Sequence, residues 1–268
     1  MLLDGAPHRF FYGEQPPPEP FAEHLLGLWS FDVHLPEGTV ALHTIWPDGC
    51  VSLSVVCSGG RPIAASIVGP RLRALRIPMR SGLTVRGVRL WPDTAAQVLG
   101  VDPVAIRDLT RPASELLGMG ALTLARAIAS APDDAAISAV WESWLAPRIE
   151  QAALPDPVVR LVVRLLIDTD GTTDLREAAA QAEVGMRQLE RRFGAAVGLS
   201  PIQFARVRRV RAAIAAILAG ERRTSVLAER FGYAELSTFA REFKAVTGLS
   251  ADGLMEQLDQ IETGDRED

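Results

Sequence analysis

The stretch Met186–Phe204, MRQLERRFGAAVGLSPIQF, lies over Leu236–Leu254, LSTFAREFKAVTGLSADGL, at an offset of fifty residues. Six of the nineteen aligned positions are identical: Arg191/Arg241, Phe193/Phe243, Ala195/Ala245, Gly198/Gly248, Leu199/Leu249 and Ser200/Ser250. A period of this length marks a repeated structural unit. Each copy follows a short alanine-bearing segment, LREAAAQAEVG before the first and SVLAERFGYAE before the second. A short helix, a tight turn, a second helix and a glycine stop make a helix-turn-helix arrangement.

Helical spacing sorts each copy into two faces. Leu189 and Phe193, four apart, turn inward, as do Phe239 and Phe243. Arg187, Glu190 and Arg191 share the opposite face of the first copy, with Gln188 pointing partly sideways. Ser237, Thr238, Arg241 and Lys244 form that face of the second copy. Met186 and Leu236, at equivalent positions, read as packing residues, with a thymine-methyl contact open to Leu236. Arginine suits the O6 and N7 of guanine. Glu190 could accept from cytosine N4 or pair with a neighbouring arginine. Small Ala179 and Ala228 allow a close helix crossing, and Gly232 supplies a turn.

Working outward, the helical pattern covers 174–182, 186–196, 201–219, 224–231, 236–246 and 251–261. Arg206, Arg208, Arg209 and Arg211 on the connecting helix read mainly as a solvated face, with some phosphate contact. An acidic tail follows and frays after Gly264. The charge is uneven. Residues 172–252 hold twelve arginines and one lysine against nine acids, within a chain of 268 residues whose net charge is −5. A nucleic-acid module beside a near-neutral partner carries such an imbalance.

The other half has a different texture. EQPPPEP at 14–20 is too proline-rich for a helix or a central strand. Short apolar runs separated by turn signals then predict strands at Leu25–Val33, Thr39–Ile45, Cys50–Val56, Pro62–Val68, Leu72–Ile77 and Leu83–Leu90. Their spacing suggests a small antiparallel barrel or sandwich. After Pro92 the pattern turns helical, with a helix start at Pro132-Asp133-Asp134 and a further helix over 157–167. The Asp/Gly/Thr cluster at 168–174 marks a domain boundary. The expected fold is therefore α+β: a β-rich domain with trailing helices over 1–170, an all-α double helix-turn-helix domain over 171–255, and the acidic tail 256–268.

These residues resemble the DNA-binding domain of the AraC/XylS transcription regulators. The resemblance runs from Leu175 to Leu254 and is carried by Ala179, Leu189 and Arg192-Phe193, by GLSP ending at Pro201, and by the helix IQFARVRRVRAAIAAIL. It continues through LAERFGY, STFAREFK and TGLS ending at Ser250. Four positions depart from the family pattern: Gly185 where serine usually caps the first recognition helix, Thr238, Ala251 and Leu254. They suggest a softer second unit. The Trp46–Leu53 stretch WPDGCVSL, Val68-Gly69-Pro70 and RGVRLWPDTAAQVLG resemble a sensor-like half found in an uncharacterised branch of the same regulators. The resemblance implies double-stranded DNA as a partner, read by both recognition helices, together with RNA polymerase. It also implies a regulatory module that takes a small-molecule effector or forms a homodimer.

Composition narrows the alternatives. The N-terminal ten residues contain Asp4, His8 and Arg9, which interrupt any signal-peptide core, and no apolar run reaches eighteen residues. The expectation is a cytoplasmic chain with no membrane partner. His8, His24, His34 and His43 show no metal-ligand spacing, and no P-loop, GxSxG or GxGxxG occurs, so neither a metal, a cofactor nor a catalytic set is expected. Cys50 and Cys57 read as small buried residues. An alkyl-accepting enzyme tethered to DNA would need an activated thiol in a metal framework, which is missing. An adaptor that no longer binds DNA would not keep Arg191 and Arg241. Trp29, Trp46 and Trp91 fill a barrel core or line a ligand pocket, and Asp48 reads first as a turn residue and second as a ligand carboxylate.

Overall fold

The computed structural model describes residues 10–264, with side chains described to Asp259; the N-terminal nine residues and the end of the acidic tail lie outside them. Eight strands occupy the first part: β1 Phe10–Gln15, β2 Leu25–Val33, β3 Val40–Ile45, β4 Ser52–Ser58, β5 Arg61–Val68, β6 Leu75–Arg80, β7 Leu83–Leu90 and β8 Thr110–Pro112. Six form an antiparallel sheet in the order β1-β2-β7-β4-β5-β8, and β3 pairs with β6 in a separate two-stranded ribbon. β1 lies at the sheet edge and stops at the prolines that follow it, which could not continue a central strand. The ribbon packs on the sheet through Phe10, Phe31, Val33, Met79 and Val85, giving sandwich-like layering.

Eleven described helices follow or interleave: α1 Ala95–Leu99, α2 Ala113–Leu117, α3 Met119–Ser130, α4 Asp134–Glu150, α5 Pro157–Asp168, α6 Leu175–Gln181, α7 Met186–Val197, α8 Pro201–Leu218, α9 Thr224–Arg230, α10 Leu236–Thr247 and α11 Ala251–Gly264. The main β-side core joins Leu53, Val55, Ile67, Val88 and Leu90 of the sheet to Leu124, Ile128, Trp141 and Leu145 of α3 and α4. Asp133 starts α4 as its sequence suggests, accepting from the Ala136 amide at 2.8 Å.

Two further cores fill the helical part. Val159, Val162, Val163 and Leu166 of α5 join Ala178, Ala179, Leu189, Phe193 and Val197 in the first. The helix expected on the N-terminal side of the 168–174 boundary thus packs as the first helix of the first unit. Val210, Ile214 and Ile217 of α8 join Leu227, Ala228, Phe239, Phe243 and Val246 in the second. Helix α8 serves both cores, because its early residues Phe204 and Ala205 lie in the first. The units are therefore α5–α6–α7 and α8–α9–α10, each a support helix followed by a helix-turn-helix.

Candidate nucleic-acid interface

Each recognition helix is held by its buried face and left open on the other. In α7, Leu189, Phe193 and Val197 are fully buried, and Phe193 meets Phe204 with ring centroids 5.7 Å apart. In α10, Phe239 and Phe243 are buried 5.5 Å apart, and Tyr233 packs edge-on against Phe239 at 5.4 Å. Both helices stop at a left-handed glycine, Gly198 and Gly248. Burying one such aromatic face contributes about 1.5–3 kcal/mol per side chain, enough to fix which side faces out.

The outward faces lie where the sequence placed them. Arg187, Gln188, Glu190 and Arg191 are exposed on α7; Leu236, Ser237, Arg241 and Lys244 are exposed on α10, with Thr238 half-buried. Arg187, Arg191, Arg241 and Lys244 pair with no carboxylate among the described residues, and Glu190 is not paired with either neighbouring arginine. Ser237 donates to Glu235 at 3.1 Å. Met186 and Leu236 differ, since Met186 packs against the first core while Leu236 is 48% exposed. Neither α7 nor α10 has a side-chain N-cap, whereas α5, α6 and α8 are capped by Asp156, Asp174 and Ser200. The first amides of both recognition helices are thus free to meet an anion.

Ala251 and Leu254, read as marks of a softer second unit, are buried in its core. One expectation is corrected by packing. The arginines of α8 do not form a solvated face, because all four are partly buried against neighbouring elements. Arg208 and Arg211 lie near enough to Asp48 to act on its charge, and Arg89 Nε lies 2.8 Å from its Oδ2. Burial alone would raise the Asp48 carboxyl, but these three guanidiniums and the Cys50 amide hold it below the usual carboxylate range. Asp48 Oδ1 accepts that amide at 2.9 Å, so the turn reading of Asp48 holds locally.

The four candidate ligand residues do not converge. Trp29 borders a recess of about 30 Å³ with Ser30, Arg86, Asp134, Ser138 and Trp141. Trp46 instead packs into the core of the second unit, and Trp91 into that of the first. Asp48 faces Arg89 of the sheet and Arg208 and Arg211 of α8, at the seam between sheet and helices. There Gly49, at φ 77°, lies so close to Phe204 that an added Cβ would stand 2.5 Å from its ring. The same seam carries an Ala74 N–H to Val246 carbonyl bond of 2.8 Å and the Arg160–Asp93 ion pair of 2.6 Å. The β-rich part thus contacts both units. Cys50 and Cys57 are free and buried, and burial pushes both thiols up, which suppresses the thiolate an alkyl acceptor requires.

Residues 178–257 match the family described as a helix-turn-helix domain. This segment is an AraC-type helix-turn-helix domain. Residues 13–112, which run from the second half of β1 to the end of β8, match a family described as a domain of unknown function (DUF6597). Among solved structures, the chain is similar to ToxT from Vibrio cholerae O395 at 11% identity, covering 82% of this chain and 97% of that one with a TM-score of 0.43. The same protein bound to (E)-4-(8-methylnaphthalen-1-yl)but-3-enoic acid aligns at 11% identity over 82% of this chain and 98% of that one, with a TM-score of 0.46. No curated protein matches the chain. No described helix is long and apolar enough to cross a membrane.

Sequence reasoning gave no pairing role to Asp156, Arg192 or Glu242. Arg192 and Glu242 lie over one another in the repeat, and their opposite charge was the available signal. Their partners on the support helices are set by packing and could not be read locally.

Proposed function

We propose that the chain regulates transcription by reading double-stranded DNA with α7 and α10 in successive major grooves. The observation that carries this reading is the pair of open faces at matching repeat positions, each bearing unpaired cations beside free helix amides. Arg187, Gln188, Glu190 and Arg191 read one half-site; Leu236, Ser237, Thr238, Arg241 and Lys244 read the other. Two units in one chain do what a dimer does, with half-sites about one helical turn apart. In this reading the domain boundary lies ahead of α5. RNA polymerase is the partner at the promoter, and the β-rich part is a sensing or self-association module. A recess of about 30 Å³ holds a water, not a metabolite of ordinary size, so an effector would have to open it.

The test is selection of bound sequences from a random DNA pool with the full chain, followed by titration at several salt concentrations. A shared motif, with affinity falling as salt rises, is expected, because arginine–phosphate contacts release counterions. A folded chain that enriches no sequence and binds without salt dependence contradicts the proposal. Thermal-shift screening and sedimentation of the full chain check the sensing and self-association part.

A further inference from the structure

We propose that Asp156 and Arg209 are positioning residues, each gripping the recognition helix of its own unit at the same repeat position through ion pairs of opposite polarity. The inference rests on the DNA-reading function proposed above. Arg192 and Glu242 each sit between the exposed arginine and the buried phenylalanine of their helix, Arg191-Phe193 and Arg241-Phe243. In the first unit Arg192 Nε donates to Asp156 Oδ2 at 2.6 Å, and its Nη2 donates to Oδ1. Asp156 also caps α5 by accepting from the Val158 amide at 2.9 Å. In the second unit Arg209 Nη2 stands 3.4 Å from Glu242 Oε2, which also accepts from Tyr233 Oη at 3.0 Å. The Arg209 guanidinium lies over the Tyr233 ring at 4.6 Å. The cation is thus on the recognition helix in one unit and on the support helix in the other.

A helix turns about 100° per residue, so a small roll of α7 or α10 would swing Arg191 or Arg241 off its base pair. The aromatic core resists translation, and an ion pair on the flank between the buried and open faces, two-pronged in the first unit and single in the second, resists roll. Side chains at these pairs are 20% to 28% exposed, so water screens them only in part. The reversed polarity has a second effect. A swapped arrangement would set Arg192 against Arg209 and Glu242 against Asp156, so two similar repeats are kept from exchanging support helices.

The experiment uses the full chain and the DNA it selects. R209Q and E242Q are each expected to weaken binding roughly three- to tenfold, with relaxed preference only in the half-site read by α10. Exchange of the charges, R209E with E242R, restores affinity to within about twofold. D156N, which keeps a capping side chain, acts likewise on the half-site of α7. Amide hydrogen exchange of the free protein reads the same pairs without DNA: each single change accelerates exchange in its own recognition helix, and the paired exchange slows it again. Unchanged affinity, preference and exchange in R209Q and E242Q overturn the proposal, as does a double variant no better than the singles. If the unaltered chain binds no DNA, the function fails, and hydrogen exchange still decides the pairing.

Discussion

In the first unit the turn before the recognition helix passes through Glu183 at φ 54°; in the second it passes through Gly232 at φ 73°. The first unit locks α7 with a carboxylate on its support helix, and the second locks α10 with a guanidinium. The first is gripped by Trp91, over which Arg164 lies at 3.7 Å, and the second by Trp46. The inner phenylalanine Phe193/Phe243, the stopping glycine and the outward arginine are nevertheless common to both. Core positions are held by volume and helical period, which leave little choice. Joints need only complementarity, and that can be met by either sign of charge or by either residue at a left-handed turn.

The largest expected effect separates the two grips. Trp46→Ala should destabilise the chain by about 3–5 kcal/mol and loosen chiefly α8–α10, while Trp91→Ala should do so chiefly for α5–α7. Chemical denaturation gives the size and hydrogen exchange the location. If both variants loosen both units alike, the two cores are one cooperative body and the division into units fails.

A smaller effect tests the turns. Glu183→Gly should stabilise the first unit by up to about 1 kcal/mol, since a non-glycine side chain strains the left-handed conformation. Gly232→Glu should cost a similar amount in the second. Equal and opposite shifts in thermal midpoint support the comparison; a destabilising Glu183→Gly would show that the side chain has a role the geometry does not reveal.

Acid should also tell the units apart. Burial alone would raise the Asp156 carboxyl, but Arg192 and the Val159 and Val158 amides hold it below the usual range. A carboxyl depressed in the folded state contributes stability above its unfolded value, near pH 4, and loses it as pH falls through the lower folded value. Protection of α7 should therefore decline below about pH 4, and D156N should remove that decline. Smallest of all, Gly185→Ser should add a few tenths of a kcal/mol by capping α7. A loss instead would mean that the free amides are already engaged.

Much of the molecule was legible locally. β2 and β7 fall on their predicted spans, and the helices of both units fall within a residue or so, because period and turn residues act over short range. The misses have distant causes. β6 starts at Leu75 instead of Leu72, because the Leu72 amide donates to Asp108 at 2.8 Å and the Ala74 amide to Val246. β8 is three residues long and ends in proline, and it exists only by pairing with Ser66–Val68. Trp46 and Trp91 read as barrel-core or pocket residues, but they pack into the two helical cores, and Asp48 faces Arg208 and Arg211 of α8; these partners are far along the chain, and no local pattern could name them. The outward face of each recognition helix was legible because helical spacing alone determines it.

The central claim is that α7 and α10 read different bases with equivalent arginines. The direct measurement titrates Arg191→Ala and Arg241→Ala against the selected DNA and all its single-base variants. Each should cost roughly 1–3 kcal/mol on the best sequence and relax preference at one or two base pairs, in two places about one helical turn apart. Uniform loss across every sequence, or loss of preference at the same base pairs in both variants, would contradict the account.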